Sequence, residues 1–430
     1  MRILLVSSSD FGGAGIACLR LFRALRSVGA EVKMLVIDKR SSEEGVVAWT
    51  ESYEGLERKY RKLRGVFHSY LAQRKNDRIV RGRTYLGDSF SVPWPSIPLW
   101  GNPLVDWAEV IHLHWCAQFW NWKAFRKVSS KALVWTMHDL NPATGGCHYP
   151  GECRQFRDRC ELCPQLAGTA NARIVESAFR LKTRAFDGGR GRRMTVIAPS
   201  DWMSALIRQS RLFRNNPLEV VGNAFDESIF RPIDKAFCRE ALGMPPDKKV
   251  VLFAANYLGN YRKGMDIILE TLPSFSAAED VLFCAAGNGS TKNGAQMRLL
   301  GNIADERLMA IAYNAADVFV IPSREDNLPN TVAEAHLCGT PVVGFNRGGI
   351  GEMLSDGNNG ILVDNVSSSS FVLSIRKALA RSWDRGMISS VARARYGQRR
   401  IARLHLDLYA HGFSSNRPWE NLRKDDGAQR

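Results

Sequence analysis

The chain has 430 residues, 45% hydrophobic and 24% charged, which is ordinary for a globular protein and long enough for two cores. Its formal net charge of +16 favours an anionic partner, whether nucleic acid, a membrane surface or a phosphorylated substrate. No apolar run approaches the roughly 18–20 residues that would span a bilayer. Met1-Arg2-Ile3-Leu4-Leu5-Val6, which runs straight into Ser7-Ser8-Ser9-Asp10, reads as a first buried strand rather than a signal peptide. The expectation is a cytoplasmic protein with reduced thiols. Its nine cysteines then serve packing, metal binding or chemistry, not a disulfide framework.

Ile3 to Val6 is the first strand, and Ser7 to Gly15 a glycine-rich turn. A helix is expected from about Ile16 to Val28, with Ala17, Leu21, Ala24 and Val28 on its apolar face and Gly29 as its stop. Val32 to Ile37 is the second strand. Tight turns need glycine anyway, so the turn alone says little about phosphate. Leu56, Tyr60, Leu63, Phe67 and Tyr70 recur at helical spacing among Arg58, Lys59, Arg61, Lys62 and Arg64, with Arg74, Lys75, Arg78, Arg81 and Arg83 beyond. Two readings stand: a surface helix with its apolar stripe on the core, or a dock for anionic lipid headgroups. Val110 to His114 and Leu133 to His138 are buried-type strands ending in histidine at the end where α/β sheets bind ligands. Cys147, Cys153, Cys160 and Cys163 then follow in the pattern C-x5-C-x6-C-x2-C. Four thiolates satisfy a tetrahedral structural zinc, and the alternative is four reduced cysteines in a tight loop.

Thr195 to Ser200 is another strand, and Val250 to Ala255 opens a second domain. There Arg262-Lys263-Gly264 closes a strand-to-helix turn, where a basic pair can grip a diphosphate. Val281 to Ala286 and Val318 to Ile321 are further strands. After the second comes a polar loop with Pro329, a helix from Asn330 to Leu337, Gly339 as its stop, and a β-rich run from Pro341 to Phe345. Strand, loop, helix, strand is half of a nucleotide-binding α/β unit, and the helix N-terminus offers N–H groups to a diphosphate. Asp326 on the loop and Glu334 in the helix can face one ligand. Val391 to Tyr409 is helical and basic, and the tail from Ser414 reads as polar and disordered.

Asp326, seven residues, Glu334, then Ala335 and Cys338-Gly339-Thr340-Pro341-Val342-Val343 resemble the acid–seven residues–acid signature of family 4 glycosyltransferases, whose fold is GT-B. Asn327-Leu328-Pro329 departs from it, since the family commonly has a loop glycine there. Other stretches resemble the same family: the opening turn D-x-G-G-A-G at Asp10 followed by Arg20-Leu21, His138-Asp139, Arg262-Lys263-Gly264, the linker Gly222-Asn223-Ala224-Phe225-Asp226, and Arg347-Gly348-Gly349-Ile350-Gly351-Glu352. The cysteine stretch, GGCHY…C…C-x-x-C-P-Q-L, is similar to an insert in bacterial family 4 enzymes of polysaccharide assembly, the exopolysaccharide or colanic-acid type.

The resemblance implies an α/β protein of two Rossmann-like domains facing across a cleft. Residues 1–222 would be the acceptor domain, with the insert at 145–166. Residues 223–385 would be the donor domain, 386–412 helices crossing back, and 413–430 a disordered tail. It implies a retaining transferase that moves a sugar from a nucleotide-sugar donor to a saccharide or polyprenyl-diphosphate-linked acceptor at the inner face of the plasma membrane, needing no cofactor for catalysis. His138, Lys263, Asp326 and Glu334 would be catalytic. Gly12, Gly13, Arg262, Lys263, Asn330, Thr331 and Glu334 would hold the donor, with Glu334 on the ribose and Asp326 and His138 on the sugar. Two rivals remain: a sugar-nucleotide epimerase on the same fold, which would act without an acceptor, and a basic zinc-containing nucleic-acid binder. No aromatic-rich recognition motif accompanies the cysteines, which counts against the latter.

Overall fold

The computed structural model of the chain describes residues 1–80, 89–94, 97, 99–117, 119, 122, 131–166, 169–187, 194–275, 280–289 and 297–411. Arg81, Arg83 and the expected tail at 413–430 lie outside the described residues. Two parallel sheets carry the fold. The first holds β1 (Arg2–Val6), β2 (Glu31–Val36), β3 (Val46–Ala48), β4 (Val110–Leu113), β5 (Ala132–Thr136), β6 (Thr195–Ala198) and β7 (Leu218–Val220) in the order β3-β2-β1-β4-β5-β6-β7. The second holds β8 (Lys249–Tyr257), β9 (Val281–Asn288), β10 (Met297–Gly301), β11 (Val318–Ile321), β12 (Val342–Phe345) and β13 (Gly360–Val363) in the order β10-β9-β8-β11-β12-β13. β1, β4, β6, β11 and β12 are apolar almost throughout, because a parallel sheet is covered on both faces. In each sheet the order reverses beside the first strand, and that crevice is where α/β sheets seat ligands. The expected pair of Rossmann-like α/β domains is what forms.

The first helix runs over Gly12–Ser27 and so starts four residues before the hydrophobic periodicity does. A Cβ on Gly15 would sit 2.6 Å from the Ser9 carbonyl oxygen. The glycine lets the helix begin hard against the strand-end loop, which the periodicity alone could not reveal.

The chain crosses between domains twice, at one place. Phe225 N–H donates to the Tyr396 carbonyl at 3.0 Å, and Gln398 N–H to the Phe225 carbonyl at 3.0 Å, so the outgoing linker and the returning chain lie side by side. Helix Arg385–Tyr396 packs on the second domain, where Ser389 Oγ donates to the Leu337 carbonyl at 2.7 Å. Helix Gln398–His411 packs on the first, burying Ile401, Ala402, Leu408 and Tyr409 against Leu21, Leu25 and Val36.

Helix Gly55–Val80 is attached lightly. Arg61 turns inward, over Tyr53 at 4.3 Å, and Gly65 is buried against Trp49. The apolar stripe is on the other side: Leu56 is 83% exposed, Leu63 73%, Phe67 60% and Tyr70 55%. Of the two readings of this stretch, packing of the stripe on the core is therefore excluded. No helix among the described residues is long and apolar enough to cross a membrane.

Candidate active site

Lys263 and Arg262 sit on a one-turn 3₁₀ helix, Tyr261–Lys263, that the Asn260 side chain caps by accepting from Arg262 N–H at 2.9 Å. Both cations converge on Asp326, at the loop after β11. Lys263 Nζ lies 2.5 Å and Arg262 Nη1 3.4 Å from Asp326 Oδ2. Burial pushes this carboxyl up, but the two cations outweigh it and hold the acid below the usual carboxylate range. Arg262 also donates to the Glu325 carbonyl at 2.7 Å.

The loop carrying Asp326 is locked from both sides. Gly348 and Gly349 lie against its backbone so closely that a Cβ on Gly349 would come 1.8 Å from the Asn327 carbonyl oxygen. On the other side Asn327 reaches into the first domain. Its Nδ2 donates to the carbonyls of Met137 and His138 at 3.0 Å each, and its Oδ1 accepts from Ser200 Oγ at 2.6 Å. The departure from the family's loop glycine is thus a side chain with a job: it ties the acid-bearing loop to the strand end that carries His138.

Helix Asn330–Leu337 follows, with Pro329 at its N-cap and no side-chain cap there. Asn330 Nδ2 donates to the Gly13 carbonyl at 3.1 Å, bringing the Gly12-Gly13 turn to this helix start, where half-buried Thr331 also sits. Glu334 is 7% exposed, and both its oxygens are used. Arg20 Nη2 donates to Oε1 at 2.8 Å and Tyr313 Oη to Oε2 at 2.7 Å.

His138 follows β5 and is paired with His114 after β4, their Nε2 and Nδ1 atoms 2.9 Å apart. Burial lowers the His138 pKa to about 4 and takes His114 well below its ordinary value. Both imidazoles are neutral at neutral pH, so they can orient a hydroxyl but not supply a strong acid. His114 Nε2 is buried with no partner among the described residues, and His114 and His138 line a cavity of about 20 Å³, which fits one water-sized group. His112, within β4, is a structural tie: its Nδ1 is 2.6 Å from Tyr409 Oη and its Nε2 2.7 Å from Thr136 Oγ1.

The cysteine-bearing segment spans the cleft. His148 Nδ1 is 2.6 Å from Asp139 Oδ2. Next to it, the Arg262 guanidinium lies 3.9 Å above the Tyr149 ring, and Gly151 N–H donates to Glu325 Oε2 at 3.1 Å. Cys147 and Cys160 are buried, Cys153 and Cys163 partly exposed. Burial first, and then the neighbouring thiols, push the Cys147 thiol up, so the four share one small region. Among the described residues, however, no group of three or more His, Cys, Asp or Glu is arranged to hold a metal ion. The thiols are gathered but do not form the expected tetrahedral ligand shell.

Residue patterning left Arg20, Tyr149, Tyr313 and Asn327 unassigned. Arg20 did carry a signal: it falls three residues after Ala17 and four before Ala24, so a charge sits on the apolar stripe of its helix. Beside the glycine turn, an open pocket of about 610 Å³ is lined in part by Phe11, Asp38, Lys39, Arg40, Ser41 and Glu51, two acids beside two cations.

Comparison with known proteins agrees with this geometry. Residues 248–381 match the family model described as Glycosyl transferases group 1. The D-inositol 3-phosphate glycosyltransferase of Xylanimonas cellulosilytica is 25% identical over 94% of this chain and 92% of its own length. The like-named enzyme of Segniliparus rotundus is 32% identical over 38% of this chain and 39% of its own. The chain is a glycosyltransferase of the GT-B fold. Among solved structures, sucrose-phosphate synthase from Thermosynechococcus elongatus superposes on this glycosyltransferase with a TM-score of 0.62 at 17% identity, covering 97% of this chain and 100% of that one. Anabaena HepE in complex with UDP and glucose does so with 0.59 at 17%, covering 96% and 100%. The relatives quoted are named for inositol 3-phosphate, not for exopolysaccharide assembly.

A pH prediction follows from the buried imidazoles. His138, His336 and His405 are each lowered from 6.5 to about 4, with burial the largest cause. Unfolded histidines bind protons below about 6.5 while these do not, so stability is complete above that value and falls as pH drops from about 6.5 towards 4. Thermal unfolding followed across that window is expected to show a steadily falling Tm, and a His405→Gln variant a shallower slope.

Proposed function

We propose that this enzyme transfers a sugar, with retention of anomeric configuration, from a nucleotide-sugar donor to an anionic, lipid-linked acceptor. The observation that carries the donor half is the cluster of half-buried Lys263 with buried Arg262 and Asp326, with Glu334 and an uncapped helix start on one side and His138 on the other. A sugar nucleotide is already activated, and the protein must stabilise the diphosphate as it leaves. Lys263, Arg262 and the amides near Thr331 supply positive charge for that. Glu334 takes the ribose hydroxyls, and Asp326 and His138 the sugar hydroxyls. Asp326, held by two cations, is poorly suited to attack as a nucleophile, which supports reaction on one face, with the departing phosphate accepting the acceptor's proton. The structure of Anabaena HepE with UDP-glucose supports the donor class.

Lys263→Ala and Glu334→Ala are each expected to lower transfer about 30- to 1,000-fold, the effect of losing one charge-assisted contact at a transition state. The assay is release of nucleoside diphosphate across a sugar-nucleotide panel, with thermal unfolding as the control. Full activity in either variant removes that residue from the site. Donor conversion without acceptor would point to the epimerase instead.

The acceptor half rests on helix Gly55–Val80. At about 100° per residue, Leu56, Tyr60, Leu63, Phe67 and Tyr70 form one stripe, flanked by exposed Lys59 and Arg64 and opposite the Arg61–Gly65 face that meets the protein. An outward apolar stripe edged with cations matches an anionic bilayer surface, where each cation contributes about 1 kcal/mol. A soluble phosphorylated polyol is the second reading, favoured by the names of the inositol 3-phosphate relatives. Vesicle co-sedimentation separates the two. Wild type is expected to bind anionic but not neutral vesicles in a salt-sensitive way, and a variant with Lys59 and Arg64 changed to Gln to lose much of that binding. Equal binding to both vesicle types, or no loss in the variant, excludes this helix as the dock.

For the insert, the C-x5-C-x6-C-x2-C spacing of Cys147, Cys153, Cys160 and Cys163 supports a structural zinc, which would have to draw the four thiols into a shell that they do not form here. Metal analysis is expected to give about one zinc per chain, lost in Cys160→Ser/Cys163→Ser. Freshly purified protein without zinc removes the metal from this reading.

A further inference from the structure

Arg20 belongs to the first domain, yet its partners are in the second. It is 6% exposed on the buried stripe of helix Gly12–Ser27. Its Nη2 lies 2.6 Å from Glu306 Oε1 and 2.8 Å from Glu334 Oε1, and its Nε 2.6 Å from Glu306 Oε1. Arg23 reinforces the contact from the next turn, 3.0 Å from Glu306 Oε2. The Arg20 Cζ is held 4.7 and 5.0 Å from the ring centres of Phe225 and Phe230 in the linker between the domains. On the far side of Glu334, Tyr313 takes the other carboxylate oxygen.

A purely structural role explains this poorly. Buried ion pairs add little net stability, and apolar side chains would close the same interface at least as well. Nor is the guanidinium fully satisfied, since its Nη1 is buried with no partner among the described residues. What the arrangement does achieve is control of one carboxylate. Arg20 and Tyr313 hold Glu334 from two sides and fix its rotamer. Each oxygen keeps a second lone pair for a hydroxyl donor. Because Arg20 comes from the opposite domain, Glu334 is held this way only while the domains are together.

We propose that Arg20 is a positioning residue for nucleoside recognition: acting through Glu334, it makes capture of the ribose hydroxyls depend on apposition of the two domains. The proposal rests on the reading of Glu334 as the ribose contact. It predicts that a nucleotide sugar binds tightly only to the apposed form, so donor binding and closure favour one another.

The test compares donors carrying ribose or 2′-deoxyribose on wild type, Arg20→Met, Arg20→Lys, Glu334→Gln and the double variant Arg20→Met/Glu334→Gln. Wild type is expected to prefer the ribose donor. Arg20→Met is expected to raise KM for that donor about 10- to 100-fold, the range for one lost charged hydrogen bond, with a smaller change in acceptor KM. It is also expected to shrink the ribose preference as Glu334→Gln does, which a structural role would not. The double variant is expected to be within about threefold of Glu334→Gln, since coupled residues are not additive. Wild-type ribose preference in Arg20→Met, or multiplying effects in the double variant, overturns the proposal. If Arg20→Met does not fold, Arg20→Lys decides: one ammonium cannot bridge both glutamates as the planar fork does. It is expected to lose part of the preference, and an unchanged preference there overturns the proposal. A wild type that turns over both donors equally overturns this proposal together with the ribose role of Glu334. A wild type that binds no nucleotide sugar fails earlier, at the donor reading itself.

Discussion

Asp326 is a buried carboxylate at a domain boundary, and most of the site can be derived from what that requires. An unpaired charge there would cost several kcal/mol, so cations have to stand beside it. Lys263 and Arg262 do so, which fixes the turn after β8 against the loop after β11. Arg262 in turn carries Tyr149 on its face, so the segment that arrives from the first domain is positioned by the same charge. The acid in turn holds the two cations side by side at the domain boundary.

The domains meet through polar groups almost wherever the site is concerned. Asn327 bonds to two carbonyls and a serine hydroxyl of the first domain. Glu352 accepts from the amides of Asp201 and Trp202 at the start of helix Asp201–Gln209, at 2.7 and 2.5 Å. Asn330 bonds to Gly13. Water can replace each of these partners when the cleft opens, whereas an apolar interface of the same size would resist opening. The apolar continuity lies elsewhere, at the linker and the returning helix, where Tyr409 and His112 hold the first sheet to the C-terminal end of the chain. A hinge that stays packed and a cleft that can be rewetted suit an enzyme that must admit one substrate and release another.

Much of this was legible in the residues. Val318 to Ile321 and Asn330 to Leu337 form the strand and helix that their patterning predicts, because a short apolar run rich in β-branched residues and a segment bounded by Pro329 and Gly339 each favour one local answer. The start of the first helix was not, because Gly12-Gly13 reads as a breaker until the close approach of Gly15 to Ser9 is known. His112 and His114 could not be told apart, since what distinguishes them is Tyr409, 297 residues away from His112. The exposed stripe of Gly55–Val80 has the same periodicity whether it faces a core or a solvent. Only the position of Arg61 and Gly65 decides between them.

The acid pair shows most clearly where sequence spacing stops. Seven residues between Asp326 and Glu334 place two carboxylates near one ligand, and the spacing treats them as equivalent. The structure gives them opposite partners. Asp326 is held by cations of its own domain, Glu334 by a cation of the other. Opening of the cleft would therefore leave Asp326 its two cations, though not the Tyr149 hydroxyl, and would take Arg20 from Glu334. If Glu334 loses Arg20, the partner left to it is the Tyr313 hydroxyl, a neutral group that leaves the charge uncompensated. A carboxylate in that state is better solvated and less sharply oriented. The physical difference between the two acids is thus one of which domain neutralises them: Asp326 has cations of its own domain beside it, and Glu334 has Arg20 only while the domains meet.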